Sequence, residues 1–209
     1  MREPPTGLAE AALRGALSDT YGSGLLRPAA PEAVAHPNGF VKLPLAVAAD
    51  DGSRLFLHVW LTGVGDPHVH NHRWDFASSV LSGTLHNTLV ETAAMPPGAD
   101  EEGAGLLAVR HRPCTGGFRF ATTGAQRVRV TREETVVMGR GTSYRQAARI
   151  LHRVRAEPDT MTLVARGAPV RHWSDVLVSG PVHEEARRWR RVEETERRAY
   201  LLKALEALR

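Results

Sequence analysis

From Phe40 to about residue 178 the chain breaks into short apolar or alternating runs, parted by turn residues and with no helical pattern between them. The runs read as strands near 40–47, 54–62, 67–72, 77–82, 84–91, 106–111, 117–121, 126–130, 134–138, 149–155, 160–166 and 172–178. Asp51-Gly52 is a hairpin turn between the first two. So many strands without crossover helices cannot build a parallel α/β sheet. They must close on themselves as a sandwich or barrel. At 209 residues the chain suffices for one such core with helical extensions.

Both ends differ in pattern. Residues 5–21 read as a helix, with Thr6 as cap, Leu8, Leu13 and Leu17 at helical spacing, and Gly22-Ser23-Gly24 as its end. Residues 27–38, with prolines at 28, 31 and 37, read as a loop. After Pro181 the pattern is helical to about 208, with Trp189, Val192, Ala199, Leu202 and Leu205 on one stripe. Arginines and glutamates three and four apart along it support the helix. The stripe serves either to pack on the barrel or to form a homodimer. The expected organisation is an N-terminal helix and loop over 1–39, a barrel over 40–180 and a C-terminal helix over 181–209. Residues 93–105 read as an exposed hairpin loop, with a lid as the alternative.

Composition removes several function classes. No stretch of 18 apolar residues exists, so a membrane span is not expected. The N-terminal residues show no apolar signal core, and the expected compartment is the cytoplasm. The single Cys114 excludes an internal disulfide framework and a thiolate metal site. Net charge is only +4 and is spread along the chain, which gives nucleic acid no track. No phosphate loop, dinucleotide fingerprint or serine nucleophile motif is present.

The informative segment is Asp66-Pro67-His68-Val69-His70-Asn71-His72-Arg73-Trp74-Asp75-Phe76. In an extended strand alternate side chains share a face, so His68, His70 and His72 point together with Cα atoms about 6.5 Å apart. Two neighbouring imidazoles of such a set reach one metal at roughly 2.0–2.1 Å, while three in a row span too far. Iron, manganese, nickel, copper and zinc all suit imidazole. His152 lies in a distant strand.

These residues resemble the cupin superfamily, whose first motif is an H-x-H pair followed by a glutamate and a glycine, and whose second supplies a distant histidine. His70 and His72 look like the pair, Val80-Leu81-Ser82-Gly83 like the close of the first motif, and His152 like the second-motif histidine. The resemblance covers about residues 54–166 and implies a mainly β fold, a single cupin jelly-roll barrel (double-stranded β-helix) between terminal helices. His70-Asn71-His72-Arg73-Trp74-Asp75-Phe76 and Thr160–Gly167 also resemble a subgroup of small uncharacterised cupin-like proteins. The chain departs from the pattern at the glutamate, which falls on Phe76 with Asp75 one residue away. The second motif lacks its usual Pro-x-Gly and asparagine. Asp75 is therefore a fourth ligand, a carboxylate that orients a ligand imidazole, or a carboxylate paired with Arg73 or another surface arginine. His68 is either a residue behind the ligands or the partner of His70 in a competing register.

A three-histidine site implies similarity to cupin dioxygenases that hold iron(II) and take dioxygen with a small polar substrate. The other readings are a Lewis-acid isomerase, epimerase or lyase, and a non-catalytic ligand-binding cupin. Phe56, His58 and Trp60 share one face of their strand and Leu55, Leu57, Val59 and Leu61 the other. The aromatic face serves as either a pocket wall or plain core. Arg149 and Arg153, at odd offsets from His152, point away from any metal.

Overall fold

The computed structural model describes residues 6–21, 24–29, 32–66, 68–96, 105–114, 117–180 and 187–209. Helix α1 is Thr6–Ser18; the Thr6 side chain and residues 22–23 lie outside the description, and with them the expected cap and much of the Gly-Ser-Gly stop. Strands follow in order: β1 Leu26–Pro28, β2 Val34–His36, β3 Phe40–Ala48, β4 Arg54–Trp60, β5 Phe76–Ser82, β6 Thr84–Ala94, β7 Leu106–Cys114 and β8 Gly117–Gly139. Then come β9 Ser143–Gln146, β10 Leu151–Ala156, β11 Thr160–Arg166, β12 Ser174–Val178, β13 Arg187–Arg188, β14 Arg190–Arg191 and helix α2 Glu194–Ala207.

Two antiparallel sheets result. The first runs β14-β2-β3-β4-β11-β5-β9, with β1 on β3. The second runs β10-β6-β8-β7-β12, with β13 on β8. His70 is bridged to His152 of β10 on one side and to Val176 of β12 on the other. That short segment therefore joins the two ends of the second sheet. Counting it, the chain visits the sheets in the order β4 first, segment second, β5 first, β6 and β8 second, β9 first, β10 second, β11 first. This alternation is the jelly roll expected from the sequence, with β7 and β12 as additions to one sheet.

The first sheet is buried on both faces, for two reasons. Its outer face carries Leu43 and Leu45 of β3, Leu55, Leu57 and Val59 of β4, and Met161 and Leu163 of β11. These pack under Leu13 and Ala16 of α1 and Leu201 and Ala204 of α2. Its inner face carries Phe40, Phe56, His58, Trp60 and Phe76, which line an internal cavity. The aromatic face of β4 is thus a pocket wall, and its aliphatic face is the core beneath the helices. Gly83 joins β5 to β6 at φ +75, and a Cβ there would stand 2.3 Å from Thr160 Oγ1, so the turn requires glycine.

Four expectations are corrected. Residues 67–72 form no regular strand: the segment is bridged at His70 to β10 and β12, with further backbone hydrogen bonds at Val69, Asn71 and His72. The three strands expected over 117–138 are one long strand, β8, which pairs first with β7 and then with β6. The 27–38 loop contains β1 and β2, held by β3. The C-terminal helix begins at Glu194, and Trp189 lies outside it between two short strands, with its ring in the cavity lining. The buried stripe is consequently Leu201 and Ala204, while Leu202 is 49% exposed. The expected loop 93–105 falls largely on residues 97–104, outside the described residues.

Candidate metal centre

Strand register assembles the histidines. His70 and His152 exchange both backbone hydrogen bonds, each 2.8 Å, which sets them directly opposite one another. His72, two residues on, donates its backbone N–H to Ala148 O at 2.9 Å. The three rings form a nearly equilateral triangle, with centroids 5.0, 5.0 and 5.1 Å apart. One nitrogen from each lies within 4.8 Å of the others, the group of this kind found among the described residues. His72 Nε2 and His152 Nε2 are 2.8 Å apart. Two nitrogens held at about 2.0–2.1 Å from one ion at a right angle would be roughly 2.9 Å apart, so the cluster has the dimensions of a metal site.

Hydrogen bonds set which nitrogen is offered. Asn87 gives its amide N–H to Gln146 Oε1 at 3.4 Å, which turns its oxygen toward His152 Nδ1 at 2.7 Å. His152 must donate there, and its Nε2 is left with a free lone pair. His70 Nδ1 lies 3.1 Å from the carbonyl of His68 and 3.9 Å from Asp66 Oδ2. Its Nε2 is likewise the free face. Burial holds His72 and His152 well below the ordinary histidine range, so both are neutral, as metal ligands must be. The donor set therefore fits a divalent ion: three imidazoles and, within the cluster, no carboxylate.

The remaining expected residues lie outside the triangle. Asp75 is exposed, and its carboxylate accepts the Ala148 N–H at 2.7 Å. Because Ala148 O receives the His72 N–H, Asp75 positions His72 through the backbone of Ala148. His68 lines the cavity, half-buried, and it is its carbonyl that serves His70. Arg149 and Arg153 are exposed. Tyr144 lines the cavity; burial pushes its phenol up to about 12, against the lowering effect of a Ser78 hydrogen bond.

Several site residues carry no sequence motif. Asp66 is nearly enclosed and accepts the Val154 N–H at 2.8 Å; burial raises its carboxyl, while His70, that N–H and Asn38 oppose the rise. Asn87 sits diagonally across from His152, since His152 pairs with Leu89 and Val154 with Asn87. Only the β6–β10 register reveals that relation. Asn71 exchanges side-chain and backbone hydrogen bonds with Asp175, fixing the segment between the two ligands.

The cavity measures about 260 Å³. Its walls pack ring on ring: Phe40 stacks on His58 at 4.3 Å and His36 on Phe40 at 4.7 Å, while His111 meets Phe118 edge to face at 4.3 Å. Burial pushes His36 down to about 3 and His111 to about 4, so these rings are uncharged walls. Three basic side chains, Lys42, Arg73 and Arg166, break the apolar surface, and two of them lie on the first sheet. Lys42 Nζ lies 4.4 Å from the Phe56 centroid, and the Arg166 guanidinium 4.0 Å from Trp74 and 5.1 Å from Phe56. Burial, then Arg166 and Arg54, brings Lys42 down to about 7. A cation–π contact returns up to about 2 kcal/mol, whereas removing an ion from water costs several. The rings alone do not offset the burial of these charges.

No family model matches the sequence, and no curated protein does. Solved structures are similar in shape. An RmlC-like cupin from Shewanella frigidimarina is 12% identical, with a TM-score of 0.39 over 69% of this chain and 95% of that one. A hydroxypropylphosphonic acid epoxidase from S. wedmorenis is 11% identical, with a TM-score of 0.37 over 66% of this chain and 55% of that one. The CENP-C cupin domain of Drosophila melanogaster is 11% identical, with a TM-score of 0.37 over 79% of this chain and all of that domain. The jelly-roll assignment stands on the strand pairing of this chain itself.

Proposed function

We propose that this chain is a mononuclear non-haem iron(II) cupin oxygenase acting on a small polar metabolite, of the amino acid, thiol or natural-product kind. One observation carries the reading: three imidazoles, with no carboxylate among them, converge on the wall of an aromatic cavity. His70, His72 and His152 would hold the ion. Bound iron(II) would supply open positions for an anionic substrate beside dioxygen and the electrons that activate it. Manganese, nickel, copper and zinc suit the same donors.

The chain's own residues prepare the place. Asn87 and the His68 carbonyl orient two imidazoles, and second partners of this kind raise ligand basicity. Phe76, edge-on to His72 at 5.0 Å, and Trp74 at 6.1 Å exclude water from one flank. Tyr144 keeps its proton at neutral pH and offers a hydrogen bond into the cavity. That protonated phenol is also what favours the second reading, a Lewis-acid isomerase, epimerase or lyase, in which it would be the proton donor.

Oxygen dependence separates the readings. After anaerobic iron(II) loading, a panel of small amino acids and thiols is offered and dioxygen uptake is followed. The expected result is uptake matched to substrate loss, absent in His152→Ala. Turnover that proceeds without dioxygen would favour the Lewis-acid enzyme. Ligand binding without turnover, with or without air, would leave a binding protein and remove the oxygenase reading.

A further inference from the structure

The cavity wall contributed by the first sheet holds charge that the protein does not neutralise. β3, β4 and β11 pair in register, so that Lys42 lies opposite His58 and His58 opposite Thr162. Arg166 projects into the same cavity from the end of β11. Among the described residues, Lys42 and Arg166 have ring contacts and no hydrogen bond or ion pair. Arg166 Nε and His58 Nε2 are buried without a hydrogen-bond partner. Asp66 is the one carboxylate in the lining, and it is engaged by the Val154 N–H and by His70.

Buried donors without acceptors are rare in folded proteins, and each such group calls for a partner. Two cations beside an unpaired donor call for an anion with several oxygens. Arg166 is prepared for one: stacking on Trp74 fixes the plane of its guanidinium, whose N–H fork matches two oxygens of one group. Lys42 adds a point charge from the neighbouring side of Phe56. Trp74 also lies 6.1 Å from His72, so the anion would sit one ring away from the histidine cluster. The cavity, about 260 Å³, is smaller than sites for drug-sized ligands, which run to roughly 300–1,000 Å³.

We propose that Lys42 and Arg166 hold the oxyanion of a small substrate, a carboxylate or phosphate, at the first-sheet wall and leave the rest of that substrate directed at His70, His72 and His152. This rests on reading the cavity as the substrate site and narrows the substrate class to anions. His58, directly opposite Lys42, offers its unpartnered Nε2 as a further hydrogen-bonding group for the same oxygens.

Calorimetric titration tests it with three probes: succinate, methyl phosphate and the neutral succinamide. The protein is taken with and without zinc(II), an ion inert to dioxygen. Variants are Lys42→Met, Arg166→Gln, the double variant, and Lys42→Arg, which keeps the charge. At least one anion should bind the wild type, and succinamide should not. Lys42→Met and Arg166→Gln should each weaken binding by about tenfold or more, while Lys42→Arg stays within about threefold. Far-UV circular dichroism and zinc stoichiometry should be unchanged in all of them. Preference for succinate assigns a carboxylate, and preference for methyl phosphate a phosphate. Equal affinity in the double variant, equal binding of the amide, or no anion binding by the wild type in either state would overturn the proposal. If zinc does not bind but anion affinity still depends on Lys42 and Arg166, the metal reading falls and this one stands.

Discussion

His152 carries its proton on Nδ1 because Asn87 faces it with an oxygen, and Asn87 does so because Gln146 takes its amide hydrogen. A chain of two amides thus decides which lone pair reaches the cluster. Asn87→Ala removes no ligand but leaves a buried N–H without a partner and the imidazole free to turn. Metal affinity should fall by about tenfold to a hundredfold, read by competition with a chromogenic chelator, while one ion per chain still binds at saturation. At this scale the sequence was partly legible. His70, His72 and His152 could be picked out because their residue types and spacing carry the signal. Asn87, Asp66, Lys42 and Arg166 could not, because an amide, a carboxylate or a cation means nothing until register places it. Asp75 was the converse case: it stood where a motif led one to look, yet its carboxylate bonds the Ala148 N–H.

Elements were more legible where a single face decided them. β3 to β6, β10 and β11 lie close to the expected strands because each has a buried face set by alternation. β8 was expected as three pieces because most of its side chains beyond Phe120 are exposed and its pairing, not its pattern, keeps it extended. The histidine segment was expected as a strand from its alternation, but it is held by bridges at His70 and by single hydrogen bonds at Val69, Asn71 and His72, without a regular ladder. The turn between β5 and β6 is the tightest junction near the site. Gly83→Ala would force an L-residue to φ +75 and drive a Cβ into Thr160. Left-handed backbone costs roughly 1–2 kcal/mol and the clash adds to it. The thermal midpoint should drop by about 4 °C or more, measured by circular dichroism. An unchanged midpoint would mean that the turn relaxes and that Thr160 does not confine it.

Across the whole molecule, the division of labour follows from one sheet buried twice. Helices α1 and α2 cover the outer face of the first sheet and let its inner face be spent on rings and cations instead of aliphatic core. The second sheet, closed through His70, brings three imidazoles to the facing wall. A sandwich or barrel was foreseeable from strand spacing and the absence of crossover helices, and the jelly roll from the resemblance to cupins. The cavity was not, because an aromatic face reads alike whether it packs or lines a space. The central claim is that His70, His72 and His152 together bind one metal ion. Its most direct test is elemental analysis after anaerobic iron(II) loading and desalting, on the wild type and on His70→Ala, His72→Ala and His152→Ala. One iron per chain is expected in the wild type and little in any variant, with far-UV circular dichroism unchanged. Metal retained in all three variants, or none in the wild type with any divalent ion offered, would contradict it.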